Sequence, residues 1–214
     1  MQPPARPQRL LTAGAVAAVL LLPGPSATAA PSQPPPAAGA GRSGYDRLHR
    51  LVDPAARRLA TADLVASAKW GTGAPVDDPA REQQVLDTVT RLAREEGADP
   101  RETVRIFQDQ IEASKQVQRA MHLRWNADPA EAPASRTDLA RVREEINRIN
   151  AETVRAIAAS AAVRAAPSCA GTLTAAEADV RHRRHLDRLH ATALTYALRT
   201  VCTPGDGDAM ESGG

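Results

Sequence analysis

Apolar residues recur along most of this chain at steps of three and four, the spacing of a helix with one buried face. Tyr45, Leu48, Val52, Ala55, Leu59, Ala62 and Ala66 predict a first helix over about residues 44–69, with Pro54 marking a bend or a later start. The stretch GTGAPVD, residues 71–77, breaks the pattern with two glycines and a proline. A second helix opens at Asp78-Pro79 and carries Val85, Leu86, Val89 and Leu92 as far as Gly97. The third opens in the same way at Asp99-Pro100, with Glu102 at capping-box spacing, and runs to about Trp125. After a break at Asp128, Pro129, Pro133 and Ser135, a fourth helix over about 138–162 aligns Leu139, Val142, Ile146, Ile149, Thr153 and Ile157. The last, over about 174–201, aligns Leu186, Leu189, Ala193 and Tyr196. No stretch shows a sustained strand alternation, so the expectation is all-α: one helical-bundle domain of about five to six helices with short connections.

The two ends do not share this pattern. Residues 1–29 carry Arg6 and Arg9, then an apolar run, then PSATAA, which reads as a cleavable export signal ending at Ala29. Its apolar core of about 13 residues is shorter than the roughly 20 needed to span a bilayer, so no membrane association is expected after cleavage. Residues 30–44, rich in Pro, Ala and Gly, read as a linker, and residues 203–214 as a flexible tail. The folded unit is therefore expected at 45–202.

Several predicted helices place polar groups where the buried stripe should be apolar. In FQDQIEASKQVQ, Phe107 to Gln118, the face that carries Phe107, Ile111 and Val117 also carries Gln110, Ser114 and Gln118. Arg58 and Lys69 lie 11 residues apart, which returns to within about 20° of one direction, so both can face one cavity. Glu82 shares a stripe with Val85, Leu86 and Val89, with Arg81 at its edge, and Arg143 sits between Val142 and Ile146. Inward charges are costly unless paired or given a ligand. A buried ion-pair network with Asp78 as a plain N-cap would account for any one of these residues, but the set has an excess of cations. That balance suits a small dianion held by arginine forks and a lysine.

Composition removes other classes. The formal net charge is +2 and the chain has five aromatic residues, too little charge and stacking surface for a nucleic-acid binder. The run RHRRH, Arg181 to His185, reads as a solvated helix face. His182, His185 and His190 lack a carboxylate or cysteine at ligand spacing, so no metal site is expected. Ser114 has no histidine at helix spacing to activate it, and neither a glycine-rich phosphate loop nor a carboxylate pair is evident. Cys169 and Cys202 are the two cysteines of a chain read as exported, so a disulfide is inferred; it would contribute roughly 3–4 kcal/mol in the chain-entropy model.

R-L-x-x-A-D-x-V-A-x-x-K-W from Arg58 to Trp70, P-V-D-D-P-A-R from Pro75 to Arg81, D-Q-I-x-A-S from Asp109 to Ser114, and P-S-C from Pro167 to Cys169 follow one another in an order and spacing that resemble the exported branch of the all-α chorismate mutases. The resemblance covers residues 48–202. It implies the Claisen rearrangement of chorismate to prephenate, without cofactor or metal, in a homodimer. Carried over residue by residue, it assigns Arg58 and Arg143 to substrate carboxylates, and Lys69 to the ether oxygen and a carboxylate. Arg81, Glu82 and the backbone near Asp78 would surround the ring hydroxyl, Ser114 would hold a carboxylate, and Gln118 would donate to the ether oxygen. Arg58, Lys69 and Gln118 would be the catalytic residues. In the exported branch each site is built within one chain, with Arg143 in the place of an arginine borrowed elsewhere from a partner, and Cys169–Cys202 matches that branch. Gln118 and Ser114 resemble the intracellular enzymes instead, where exported relatives often have glutamate and threonine. A lyase of the same fold that removes pyruvate from isochorismate, and a non-enzymatic exported helical binding protein, are the competing readings.

Overall fold

The computed structural model describes residues 38–135 and 137–202; the expected signal segment, residues 30–37 of the expected linker and the tail lie outside the described residues. Six helices follow in order: α1 Ala38–Lys69, α2 Pro79–Glu96, α3 Pro100–Ala127, α4 Leu139–Arg164, α5 Cys169–Arg183 and α6 Arg188–Ala197, with a short 3-10 turn Pro129–Glu131 after α3. No strand occurs among the described residues. The Asp-Pro openings act as the sequence suggests. Asp78 Oδ1 accepts from Arg81 N at 3.0 Å, and Asp99 Oδ1 from Glu102 N at 2.7 Å, so each satisfies an amide that the first turn leaves unpaired. Gly97, at φ 72°, ends α2 in the left-handed conformation that glycine adopts without penalty.

Helix α1 is the axis of the bundle, packing against α3, α4, α5 and α6, while α2 lies across α3 and α4. The core is continuous: Leu48, Leu51, Val52 and Leu59 of α1 meet Ile106, Phe107 and Val117 of α3, Ile157 of α4 and Leu194 of α6. Pro54 lies inside α1, which continues through it one backbone hydrogen bond short. The helix also begins at Ala38, earlier than the expected start near residue 44, so residues 38–43 are helical rather than linker.

The single last helix expected over about 174–201 is two helices. Helix α5 starts earlier, at Cys169, and stops at Arg183; His185 then turns at φ 50° and Asp187 caps α6 by accepting from His190 N at 2.8 Å. The buried stripes of the two parts would be in phase in one straight helix, so periodicity alone does not reveal the break. The turn is required by packing, because α5 lies mainly on α1 whereas α6 lies mainly on α3.

Residues 199–202, after α6, are fastened to α3, α4 and the start of α5 by several groups. Cys169 and Cys202 form the inferred disulfide, with Cα atoms 5.8 Å apart. Asp109, buried on α3, accepts from Arg199 Nε at 2.8 Å and from Thr200 Oγ1 at 2.7 Å. Arg164, 1% exposed, pairs with Glu102 and donates to the Val201 carbonyl at 3.4 Å.

His190 clamps α6 to α1. Its Nε2 donates to Asp63 at 3.0 Å and its Nδ1 to Asp187 at 2.8 Å, an arrangement that needs the doubly protonated ring. The hydrogen bond to Asp63 outweighs burial and, with that to Asp187, lifts the imidazole to about 9. The folded state therefore holds a proton that the unfolded chain releases near pH 6.5, so this stabilisation is complete below about pH 6.5 and is lost as pH rises through about 9. Thermal melts should show a decline over that window worth roughly 1–2 kcal/mol once solvent screening around the exposed carboxylates is allowed for. His190→Gln should flatten it; a variant with the same alkaline decline would remove His190 as its cause.

Candidate active site

Helices α1 to α4 and the loop between α1 and α2 surround a partly open pocket. All eight residues singled out from the sequence line it: Arg58, Lys69, Asp78, Arg81, Glu82, Ser114, Gln118 and Arg143. Val65, Val85, Ile111, Leu139 and Ile146 supply apolar wall between them. With Lys115, which the sequence reading missed, five cations and two acids face one space, leaving three positive charges in excess.

Arg58 is the most constrained of these. It is 6% exposed, and among the described residues no carboxylate pairs with it. Its Nε donates to Asn150 Oδ1 at 3.0 Å and its Nη1 to the Gln110 carbonyl at 2.9 Å, which fixes the plane of the guanidinium. Burial, reinforced by the charge of Arg81, pulls it down to about 10, so it remains charged at neutral pH. Its neighbour Arg57 points elsewhere, to Glu152 at 2.5 Å and Glu145 at 3.5 Å. The two differ by one 100° step around α1, and that step decides which of them enters the pocket.

Lys69 ends α1 and donates Nζ to the carbonyls of Pro75 and Val76 at 2.9 and 3.1 Å. Burial lowers its affinity for a proton, and Arg143 adds to this against the opposing pull of Asp78, Asp77 and Glu82. Gly71 and Gly73, at φ 67° and 76°, make the tight reversal that brings those carbonyls back over the end of α1. Burial and Arg143 also depress Arg81. Asp78 is the α2 N-cap as well as part of the lining, so its carboxylate is committed to Arg81 N.

On α3, Gln118 is 5% exposed; its Nε2 donates to Ser114 Oγ at 3.3 Å, and its Oε1 has no partner among the described residues. Arg143 differs from expectation. It lines the pocket as an exposed residue at the mouth, because Val142, one step around α4, takes the buried position. Glu82 pairs not with an arginine but with Lys115 at 3.2 Å. These two residues lie 33 positions apart on different helices, so no local spacing signals their contact.

A cationic pocket with neutral donors, acceptors and no nucleophile–base pair can bind a dianion and stabilise developing charge. Comparison with known proteins gives the arrangement a family. The family model for chorismate mutase type II matches residues 49–119, the stretch that contains Arg58, Lys69, Arg81, Ser114 and Gln118. A secreted chorismate mutase of Mycobacterium tuberculosis is 36% identical over 197 residues, covering 92% of this chain and 96% of that protein. One of Mycolicibacterium smegmatis is 40% identical over 152 residues, covering 71% of this chain and 84% of that protein. The crystal structure of chorismate mutase from Burkholderia phymatum superposes with a TM-score of 0.70 at 36% identity, covering 75% of this chain and 99% of that one. With that identity and coverage, the chain belongs to the type II chorismate mutases.

Proposed function

We propose that this chain is an exported chorismate mutase that converts chorismate to prephenate in the pocket between α1 and α4, by electrostatic preorganisation and without a covalent intermediate. The observation that carries the reading is the buried guanidinium of Arg58, held by two neutral acceptors in a pocket with three excess positive charges. Chorismate is a dicarboxylate with a ring hydroxyl and an ether oxygen. Arg58 and Arg143 bind carboxylates, and Ser114 helps to hold one. Lys69 reaches a carboxylate and the ether oxygen, where negative charge grows as the C–O bond breaks, and Gln118 donates to that oxygen from the other side. Arg81, Glu82 and the backbone near Asp78 surround the ring hydroxyl. Fixed donors of this kind are each worth roughly 2.7–4 kcal/mol, because they need not reorient when charge appears.

Export is part of the proposal, supported by the names of the two mycobacterial relatives and by the disulfide, which persists in an oxidising compartment. No helix among the described residues is long and apolar enough to cross a membrane. A homodimer is also proposed, each chain carrying its own site; Arg143 lining the pocket of its own chain supports that arrangement.

Incubation of the purified protein with chorismate, with product identification, tests the activity. Prephenate is expected. Pyruvate released from isochorismate without prephenate from chorismate would replace this reading by the lyase, and no turnover of either would remove the enzyme.

The amide at position 118 gives a pH prediction. An amide donates a hydrogen bond at any pH, whereas a carboxyl must be protonated to do so. Wild-type kcat/KM should not fall between about pH 5 and 8 through this position, while Gln118→Glu should lose activity as pH rises through the carboxyl range. Lys69, lowered from the usual lysine value by burial, sets the alkaline limit of the wild type. Identical profiles would count against the role of Gln118.

A further inference from the structure

Lys115 lines the same pocket but has no place among the substrate contacts proposed above. It follows Ser114 on α3, and only 15% of its side chain is exposed. Its ammonium lies 3.2 Å from Glu82 on α2, 3.3 Å from Asp77 in the loop after α1, and 2.9 Å from Glu112 one turn back on α3. Three carboxylates around one ammonium match the three N–H donors of lysine. Burial opposes the charge, but hydrogen bonds to Glu112 and Glu82 outweigh it and hold Lys115 above the usual lysine value. Arg119, one turn further along α3, pairs with the same loop and helix through Asp77 at 2.6 Å and Glu112 at 2.9 Å.

Two consequences meet in the pocket. Glu82 would face a substrate that carries two negative charges, and an uncompensated carboxylate there repels it. Lys115 neutralises Glu82 through Oε2, and Oε1 has no hydrogen bond to the described residues. Asp77, for its part, belongs to the loop whose Pro75 and Val76 carbonyls restrain Lys69. One ammonium on α3 thus holds an acid on α2 and the loop that positions the lysine at the end of α1.

We infer that Lys115 is a positioning residue for recognition of the substrate's ring hydroxyl: it neutralises Glu82 and orients that carboxylate as an acceptor, while Arg119 also holds Asp77 and with it the loop that restrains Lys69. The inference rests on the reading of this pocket as the chorismate site. A purely structural ion-pair cluster would affect all substrates alike; a positioning role is selective for the hydroxyl, since a site built to bond a hydroxyl discriminates against an analogue that lacks it.

The test is steady-state kinetics of wild type and Lys115→Met on chorismate and on a ring-deoxy analogue that keeps the enol ether and both carboxylates. On chorismate, kcat/KM should fall about tenfold or more, and on the analogue less than about threefold. Adding Lys115→Met to Glu82→Gln should cost little beyond Glu82→Gln alone, because both changes remove the Lys115–Glu82 contact and Arg119 still pairs with Asp77 and Glu112. Lys115→Arg should restore most of the discrimination. If Lys115→Met loses its helical circular-dichroism signal, Lys115→Gln, which keeps a hydrogen-bond donor but no charge, serves in its place with the same expectations. An active wild type whose Lys115 variants lose the same factor on both substrates, or lose nothing, overturns the inference alone. A wild type that forms no prephenate removes the underlying reading and the inference with it.

Discussion

Arg58→Met is expected to lower kcat/KM for chorismate by at least about a thousandfold while leaving the melting temperature unchanged or raised. The loss follows from the position of the guanidinium. It is buried, charged, and fixed by Asn150 and the Gln110 carbonyl, so it meets a carboxylate with little reorganisation. The stability result follows from what the folded chain gives up to hold it there. A buried cation with no carboxylate partner among the described residues, beside the further cation Arg81, opposes folding, and methionine removes that opposition while filling most of the volume. Against this stand two acceptors that lose a donor. The Gln110 carbonyl sits inside α3, so the main loss is at Asn150 Oδ1, about 1–3 kcal/mol for a buried group. Kinetics and thermal melts on the same preparation decide. A variant that melts several degrees lower, with activity lost only in proportion to unfolding, would make Arg58 a structural residue.

Arg164→Met should do the opposite: destabilise by about 3–5 kcal/mol, with kcat of the folded protein within about twofold of wild type. Arg164 is as buried as Arg58, but it pairs with Glu102 and lies away from the pocket, near the disulfide. Truncation leaves Glu102, 14% exposed, without its partner. For a chain of this size the shift amounts to a fall of roughly 10 °C in Tm, read by circular dichroism at neutral pH. Replacing both partners, Arg164→Met with Glu102→Leu, should recover much of the loss, because an apolar pair of similar volume avoids burying a lone charge. If the single variant lowers turnover of the folded protein a hundredfold, the segment after α6 is coupled to the site.

These two arginines show what can be read from a sequence and what cannot. Arg58 falls on the apolar stripe of the first helix, so its inward direction was legible; Arg164 lies past the expected end of the fourth helix near 162, and its burial was not. Whether a partner waits inside depends on a residue 62 positions away for Arg164 and on its absence for Arg58. The eight pocket residues were legible because helical spacing turns them one way and the family motifs fix their order. Lys115 was not, because its partners lie on α2, in the loop after α1 and one turn back on α3, and on α3 itself it looks like an ordinary surface lysine. The division of the last helix was hidden for a related reason. Its two stripes keep one phase, and only the neighbours differ, α1 for α5 and α3 for α6.

The sequence by itself determined the all-helical class, the Asp-Pro starts of α2 and α3, the faces that Arg58, Lys69, Ser114 and Gln118 occupy and the cationic character of the site. Those properties depend on residues within a few turns of one another, where 3.6 residues per turn and the unpaired amides of a first turn act locally. The tertiary structure alone decided that Arg58 has no counter-charge among the described residues, that Arg143 stands at the mouth rather than in the core, and that Lys115 gathers Asp77, Glu82 and Glu112. Charge compensation is a property of distance in space, and helices distant in the chain set that distance by how their apolar faces pack.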